Sequence, residues 1–433
     1  MLAEFDRMTG LPDWWQAERA RITAPTGRTF AMVLAGGRGT RLKQLTERRA
    51  KPAMFFGGRF RIIDFTLSNC VNSGIRRIGV VSQYNTHSLR RHVQGSVGFL
   101  CADRNEAVDV MPSPARLRDE PPYRGTADAI YRNMRAIHAT QADYVLVLAG
   151  DHVYRMDYSV MLRDHVDGRA SCTIGCVRVP RRDANGYGVM AIDARRNVIE
   201  FAEKPANPAP MPDDAESSLV SMGIYVFDAR YLCRLLAEDA ANPASSHDFG
   251  HDVIPRVVAD GRARAHPFSM SCIEAAPAAE SYWRDVGTVE AFWAANLELA
   301  SGEAGFDIDS VRWPIWTRSL HRPPPQIILG KRGDIVDTIV SDGSVVSAST
   351  LRRSLLFPGV RVSASCRVDE AVLLPDTKVG RGCRLRRVVV DRGCVLPDKL
   401  VIGEDPALDA QRFERTVNGV VLVTRAMLER LQA

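Results

Sequence analysis

The residues best suited to chemistry fall in LAGGRGTRLKQLTERRAKPAMFFGG, residues 34–58. The apolar run FAMVLAGG (30–37) enters a turn holding Gly36, Gly37 and Gly39. Glycine lets backbone N–H groups approach phosphate oxygens closely, and a following helix start would add its dipole. Two cations follow, Arg41 and, within RAKP (49–52), Lys51. The spacing matches neither the GxGxxG turn of dinucleotide-binding folds nor the GxxxxGK[ST] P-loop. A nucleoside triphosphate carries several negative charges, so a glycine turn with two cations suits a leaving pyrophosphate. A glycine turn by itself would be only a tight turn; Arg41 and RAKP are what favour phosphate.

Asp151, in LAGDHVY (148–154), follows the strongly apolar DYVLVLAGD (143–151). A carboxylate there is placed to hold Mg²⁺ against phosphate oxygens, or else to cap the next helix. Asp285, in YWRDVGT (282–288), is a second carboxylate that nothing in the sequence brings to the first. Lys204, in IEFAEKP (199–205), follows Glu203 and precedes Pro205, which predicts a strand end in extended conformation. It suits a phosphate as a compact point charge, or is an ordinary surface lysine. Three segments fit a sugar site more loosely: YRGTADA (123–129), SMGIYVF (221–227) and SSHDFGHD (245–252). In the second, Ser221 and Tyr225 fall on one strand face.

These groups need a scaffold. Residues 30–300 alternate strand-like runs, such as RRIGVVSQ (76–83), with helical patterns, such as Thr126–Thr140. Such alternation predicts a mostly parallel sheet with ligands at the strand carboxyl ends. Around 302–335 the pattern breaks, and RPPP (322–325) reads as linker. A six-residue apolar rhythm follows, through Val345, Leu351, Phe357, then Val362, Val368, Leu374, then Val379, Leu385, then Val389, Val395, Val401. One face per hexapeptide makes a parallel β-helix, with a Val-rich sandwich as the alternative. EDPALDAQRF and TRAMLERLQA read as two short helices. The domains are therefore an arm (1–29), an α/β catalytic domain (30–301), a linker (302–335) and a β-helix with its tail (336–433).

Composition narrows the class. The chain has 433 residues, 45% hydrophobic and 25% charged, which is ordinary for globular domains. No apolar run reaches membrane-spanning length, and the start lacks a signal-peptide core. The nine cysteines are scattered without a CxxC pair, which predicts reduced thiols in a cytoplasmic setting, with Cys70, Cys172 and Cys176 as core residues. Net charge is +6, but acids are interleaved with bases, which argues against nucleic-acid binding. Only six of the 57 basic residues are lysines: Lys43, Lys51, Lys204, Lys331, Lys378 and Lys399. A lysine kept where arginine is the default marks a place where a guanidinium does not fit.

From about residue 30 onward, GGRGTRL, AKP, SGIRRIGV, YRGTADA, LAGDHVY, EKP, SMGIYVF, YWRDVGT and a late VTR occur in order. The chain thereby resembles the bacterial glucose-1-phosphate adenylyltransferases (ADP-glucose pyrophosphorylases), the regulated step of glycogen synthesis. The resemblance implies a Rossmann-like nucleotidyltransferase domain followed by a left-handed β-helix, usually as a homotetramer. It implies that Arg41 and Lys51 contact the ATP phosphates, beside Leu34, Gly36, Gly37, Gly39, Tyr123 and Gly125. Asp151 would be the catalytic carboxylate, holding Mg²⁺ with Asp285. Glucose 1-phosphate would lie against Tyr123, Gly188, Glu203, Lys204, Ser221, Tyr225, Asp248 and Trp283, with Lys204 on its phosphate.

The family is allosteric, with effectors bound between its two domains and inhibition by nucleotide or phosphate. Arg48, Arg49, Arg61, Arg392 and Arg425 would supply the cations of that site, and Gln83 matches a position linked to communication. Arg48 replaces a lysine of the enteric pattern, Phe55 a histidine and Pro122 an aromatic residue. These departures point away from fructose 1,6-bisphosphate and toward fructose 6-phosphate or pyruvate as activator. Three rival readings remain: a UTP- or dTTP-dependent transferase, an acyltransferase β-helix and a non-catalytic subunit. The last histidine, His321, precedes the repeats, which disfavours an acyltransferase, and the motif residues are all present, which disfavours a silent subunit. The lysine argument carries a test. Lys204→Arg should lower kcat/KM for glucose 1-phosphate much more than for ATP, and equal losses would contradict it.

Overall fold

Period-two burial explains the central sheet. In the strand Thr29–Leu34, Phe30 and Met32 enter one apolar core while Ala31 and Val33 enter another on the opposite face. A strand buried on both sides reads as a continuous apolar run, and helices must cover both faces. In this computed structural model, which describes residues 24–37, 39–47, 49–83, 86–96, 107–113, 121–273, 281–302, 305–328, 330 and 333–432, they do. Ala229–Ala241 and Ile254–Ala259 pack on the first face, and Ile62–Asn72 and Tyr158–Asp167 on the second. Arg48, Lys331 and most of the arm lie outside the described residues.

Among the described residues the sheet has nine strands. Tyr144–Ala149, Thr29–Leu34, Arg77–Ser82 and Ala107–Pro112 run parallel, so their carboxyl ends share one edge. Ser217–Asp228 joins this group antiparallel and links it to Cys172–Pro180 and Gly188–Ile192. The single helix expected over Thr126–Thr140 is two, Thr126–Tyr131 and Met134–Thr140. The Asn133 side chain donates to the Ala129 carbonyl (2.7 Å), the acceptor its own backbone N–H would use in a continuous helix. The described cysteines are free, with Cys70, Cys172 and Cys176 buried. No described helix is long and apolar enough to cross a membrane.

The C-terminal region is a hexapeptide-repeat array of parallel strands, consistent with a left-handed β-helix. Its first paired strands are Gln326–Ile328 and Asp334–Val340. Register shows why the six-residue rhythm slips. Val362, Val379 and Leu396 stack in one column and Leu351, Val368, Leu385 and Ile402 in another, so successive coils are 17 residues apart rather than 18. The inward residues are Val346, Leu396 and Ile402, not the expected Val345, Val395 and Val401; Val395 is 57% exposed.

Phe357, Leu374 and Val389 are buried for a different reason. Together with Leu355 and Val372 they face out of the coil and pack against helix Val289–Ser301 of the α/β region and against Phe55 and Phe56. The Trp293 indole N–H donates across this interface to the Glu370 carbonyl (2.7 Å). The linker is laced to helix Ile62–Asn72: Trp313 donates to Asn69, Trp316 to Asn72 and Thr317 to Asp64. Phe357 is fully buried and edge-on to Phe55, with centroids 6.1 Å apart. Phe357→Ala should cost about 3–5 kcal/mol, read as a lower urea midpoint by tryptophan fluorescence; an unchanged midpoint would mean the interface does not carry stability.

Candidate active site

The strand Thr29–Leu34 ends in the glycine turn, and two backbone bonds fix it there. Ala35 donates to Val81 (2.8 Å), and Gly150 donates to Leu34 (3.0 Å). Gly39 is left-handed (φ 61°), and a Cβ on it would stand 3.0 Å from the Thr46 methyl and 3.3 Å from Lys51 Cβ. Glycine is needed there both for its backbone and for its contact with the Lys51 stem. The expected helix start is absent: Thr40–Thr46 is a 3₁₀ stretch broken at Lys43 (φ 52°, ψ −133°). The turn can therefore offer an anion N–H groups and cations but no helix dipole.

Lys51 opens a short 3₁₀ turn ending at Ala53, and its side chain is buried. Its Nζ lies 3.0 Å from Asp151 Oδ2 and 2.6 Å from Asp285 Oδ1. Arg41, largely exposed, reaches within 3.6 Å of Asp285 Oδ2. The carboxylate separated by more than a hundred residues arrives through a two-stranded antiparallel ribbon. Trp283–Asp285 pairs with His152–Tyr154, and Asp285 stands directly opposite His152. Burial would raise the Asp151 carboxyl, but Lys51, His152 and Arg41 outweigh it and hold it at about 2. Burial likewise disfavours charge on Lys51, yet the two carboxylates raise its ammonium above the ordinary lysine range.

Two carboxylates converging on one cation, with Asp151 partly exposed to the cavity, are a donor set that fits Mg²⁺. Among the described residues no cluster of three or more such ligands forms, so water and substrate phosphate would complete the shell.

The same cavity, about 620 Å³, is lined by Leu34, Gly36, Gly37, Gly39, Tyr123 and Gly125 and by Glu203, Lys204, Tyr225 and Asp248. Lys204 is left-handed (φ 48°) rather than extended, and its N–H donates to the Tyr187 carbonyl (3.0 Å). Its Nζ pairs with Glu203 at 2.6 Å while remaining exposed. Tyr225 stacks on Phe249 (5.8 Å, 11°), and its hydroxyl meets Ser221 Oγ at 3.2 Å. Asp248 accepts from Thr126 Oγ1 (2.9 Å) and from the Gly250 N–H (2.9 Å).

Some expectations shift. Gly188, Ser221, Trp283 and Asp285 are not among the lining residues; Trp283 is buried between His152 and Tyr187, and Asp285 stands behind Lys51 and Arg41. Gln83, expected to link the effector site to the rest, lines this cavity and donates to the Tyr123 carbonyl (3.4 Å). Thr126, Phe249 and His152 are neighbours that sequence reasoning did not single out. His152 Nε2 stands 3.8 Å and 3.9 Å from the two carboxylates, and adjacency to Asp151 was its only signal.

Four of the five expected effector arginines, all but the undescribed Arg48, meet in a second cavity of about 740 Å³ between the α/β region and the C-terminal region. Arg49, Arg61, Arg392 and Arg425 line it, joined by Arg430. Arg49 pairs with Asp391 (3.0 Å), while Arg61 and Arg392 lie over the Phe55 ring. Burial, with help from Arg392, Arg49 and Arg318, lowers the Arg61 guanidinium to about 10 against the pull of Asp64.

Residues 30–302 match the model of a family described as nucleotidyl transferase. Residues 323–423 match one described as GlmU-like, C-terminal hexapeptide.

The depressed Asp151 value makes a test. Ionised Asp151 favours the folded chain above its free value of 3.8, and that contribution is lost as pH falls toward 2. Lys51→Met removes the main attraction, so the loss of stability as pH falls from 3.8 toward 2, followed by urea unfolding and circular dichroism at each pH, should be smaller than in the parent chain. A pH dependence equal to that of the parent chain would contradict this account.

Proposed function

The chain belongs to the nucleotidyl transferase family, and from that premise we propose that it transfers the adenylyl group of ATP to α-D-glucose 1-phosphate, giving ADP-glucose and pyrophosphate. The observation that carries this reading is the meeting of Lys51 with Asp151 and Asp285 at a cavity that Lys51 and Asp151 line together with Glu203, Lys204, Tyr225 and Asp248. One group of residues suits a triphosphate and the other a sugar phosphate. The motifs SGIRRIGV and HDFG resemble the adenylyl branch and favour ATP over UTP or dTTP.

An oxygen of glucose 1-phosphate attacks the α-phosphorus, the bond to the bridging oxygen breaks, and pyrophosphate leaves in line. The attacking phosphate is already an anion at neutral pH, so no general base is required. The chain's work is positioning and charge neutralisation. The Gly36–Arg41 turn offers N–H groups and the Arg41 guanidinium to the departing phosphates. Lys51, held ready by the two carboxylates, moves a short distance to the phosphate oxygens. Asp151 and Asp285 would hold Mg²⁺, which supplies positive charge to the reacting phosphate when bound. Lys204, on its left-handed backbone, presents an exposed ammonium to the sugar phosphate, and Glu203 and Asp248 accept from sugar hydroxyls.

The arginine-lined second cavity is the site we assign to an anionic effector, fructose 6-phosphate or pyruvate. Residues 39–55 contribute to both cavities: Gly39, Thr40, Arg41 and Lys51 to the first, Gln44, Glu47, Arg49 and Phe55 to the second. An anion drawn onto Arg49 and Arg61 therefore acts on the same stretch of chain that sets Arg41 and Lys51.

The deciding experiment is pyrophosphate release from glucose 1-phosphate with ATP, UTP and dTTP in turn. ATP should be used best, and UTP faster by about tenfold would overturn the substrate assignment. Asp151→Asn should lower kcat by about 10²-fold or more; unchanged release would contradict the mechanism.

A further inference from the structure

His247 is 3% exposed and left-handed (φ 57°), a backbone state uncommon for a residue with a Cβ. Three hydrogen bonds close a ring around it. Its N–H donates to Ser245 Oγ (2.9 Å), Ser245 Oγ donates to Asp239 Oδ1 (2.6 Å), and its ring Nδ1 lies 2.9 Å from Asp239 Oδ2. A carboxylate only accepts, so Nδ1 carries the proton. Asp239 lies near the end of the helix Ala229–Ala241, which is anchored in the core through Leu232, Leu235 and Leu236. The ring thus ties a loop residue to a rigid element.

The His247 carbonyl is aimed at the cavity wall. It accepts from the Ala127 N–H (2.8 Å) and, more distantly, from Asp128 (3.4 Å). A Cβ on Gly125 would lie 2.2 Å from this oxygen, so the glycine there is dictated by His247. On the other side of the junction, Thr126 Oγ1 donates to Asp248 Oδ2 and accepts from the Phe249 N–H, each at 2.9 Å. Gly125, Thr126, Asp248 and Phe249 all line the cavity. His247 itself does not.

We propose that His247 is a positioning residue for the sugar-phosphate side of this cavity. Held left-handed by Asp239 and Ser245, it locks the Gly125–Thr126 turn to Asp248 and sets the carboxylate that receives the sugar. The inference rests on the sugar-phosphate reading above and deepens it. Its energetic logic is alignment: a substrate contact displaced by about 1 Å loses rate out of proportion to the stability lost.

The test compares His247→Ala, Asp239→Ala and His247→Asn in the full chain. Asparagine tolerates the left-handed backbone and keeps an amide donor for Asp239. His247→Ala and Asp239→Ala should each lower kcat/KM for glucose 1-phosphate by about tenfold and kcat/KM for ATP by clearly less, Gly125 being the one ATP neighbour in the turn. His247→Asn should recover most of the loss. Hydrogen exchange over residues 125–129 should accelerate in both alanine variants and not in the asparagine variant. Equal effects on both substrates, no rescue by asparagine, or unchanged exchange in His247→Ala would each overturn the proposal. If the unaltered chain releases no pyrophosphate, the functional reading fails, and the exchange measurement still decides whether His247 holds the turn.

Discussion

One buried ammonium between two carboxylates organises this protein. Charges taken out of water are costly unless they meet with good geometry. Here Lys51, Asp151 and Asp285 come from three segments that share no local sequence relationship. Each is held by a different device. Lys51 is placed by a 3₁₀ turn against Gly39, Asp151 by the end of a central parallel strand, and Asp285 by an antiparallel ribbon beside it. If any of the three segments moves, two opposite charges separate in a partly dry site. The cluster is therefore both the proposed chemical centre and a constraint on how the surrounding loops can move.

The same economy appears around the cavity as a whole. Glycine turns, carbonyls and capping side chains hold each chemical group; Gly39, Thr126 and Gly250 do so from the cavity wall, Tyr187 and His251 from behind it. Asp248 is fixed by Thr126 and by the N–H groups of Gly250 and His251. Lys204 is fixed by its own N–H bond to Tyr187. The β-helix contributes to this indirectly. Its outward residues Leu355, Phe357 and Val389 form one apolar cluster with Phe55 and Phe56, four to five residues after Lys51. Packing between the two halves thus reaches the chain that carries the central ammonium.

The groups of the candidate site were largely legible in the sequence because they are carried by local signals. Gly36, Gly39, Arg41 and Lys51 lie within one short stretch, and Asp151 follows an unmistakable apolar strand. The sheet strands were legible for the same reason, since burial on both faces leaves a continuous apolar run. The β-helix rhythm was legible as a rhythm and misassigned in phase. Val395 and Leu396 are both apolar, and only the 17-residue coil decides which of them turns inward. Two kinds of burial, inside the coil and against Val289–Ser301, were merged in the sequence because apolar residues alternate on both faces of the same strands.

By itself, then, the sequence determined the kinds of chemical group, their attachment to strand ends and turns, and the presence of a repeat. Tertiary structure decided which groups meet. Asp285 reaches Lys51, Gln83 turns to the first cavity rather than the second, Trp283 stands behind the wall, and Lys204 leaves the extended region. The physical reason is range. Turn glycines, apolar periods and prolines act over a few residues, and their signals are written in adjacent positions. Pairing of an ammonium with a carboxylate more than two hundred residues away is set by the packing of the segments between them, and no local pattern encodes that sum.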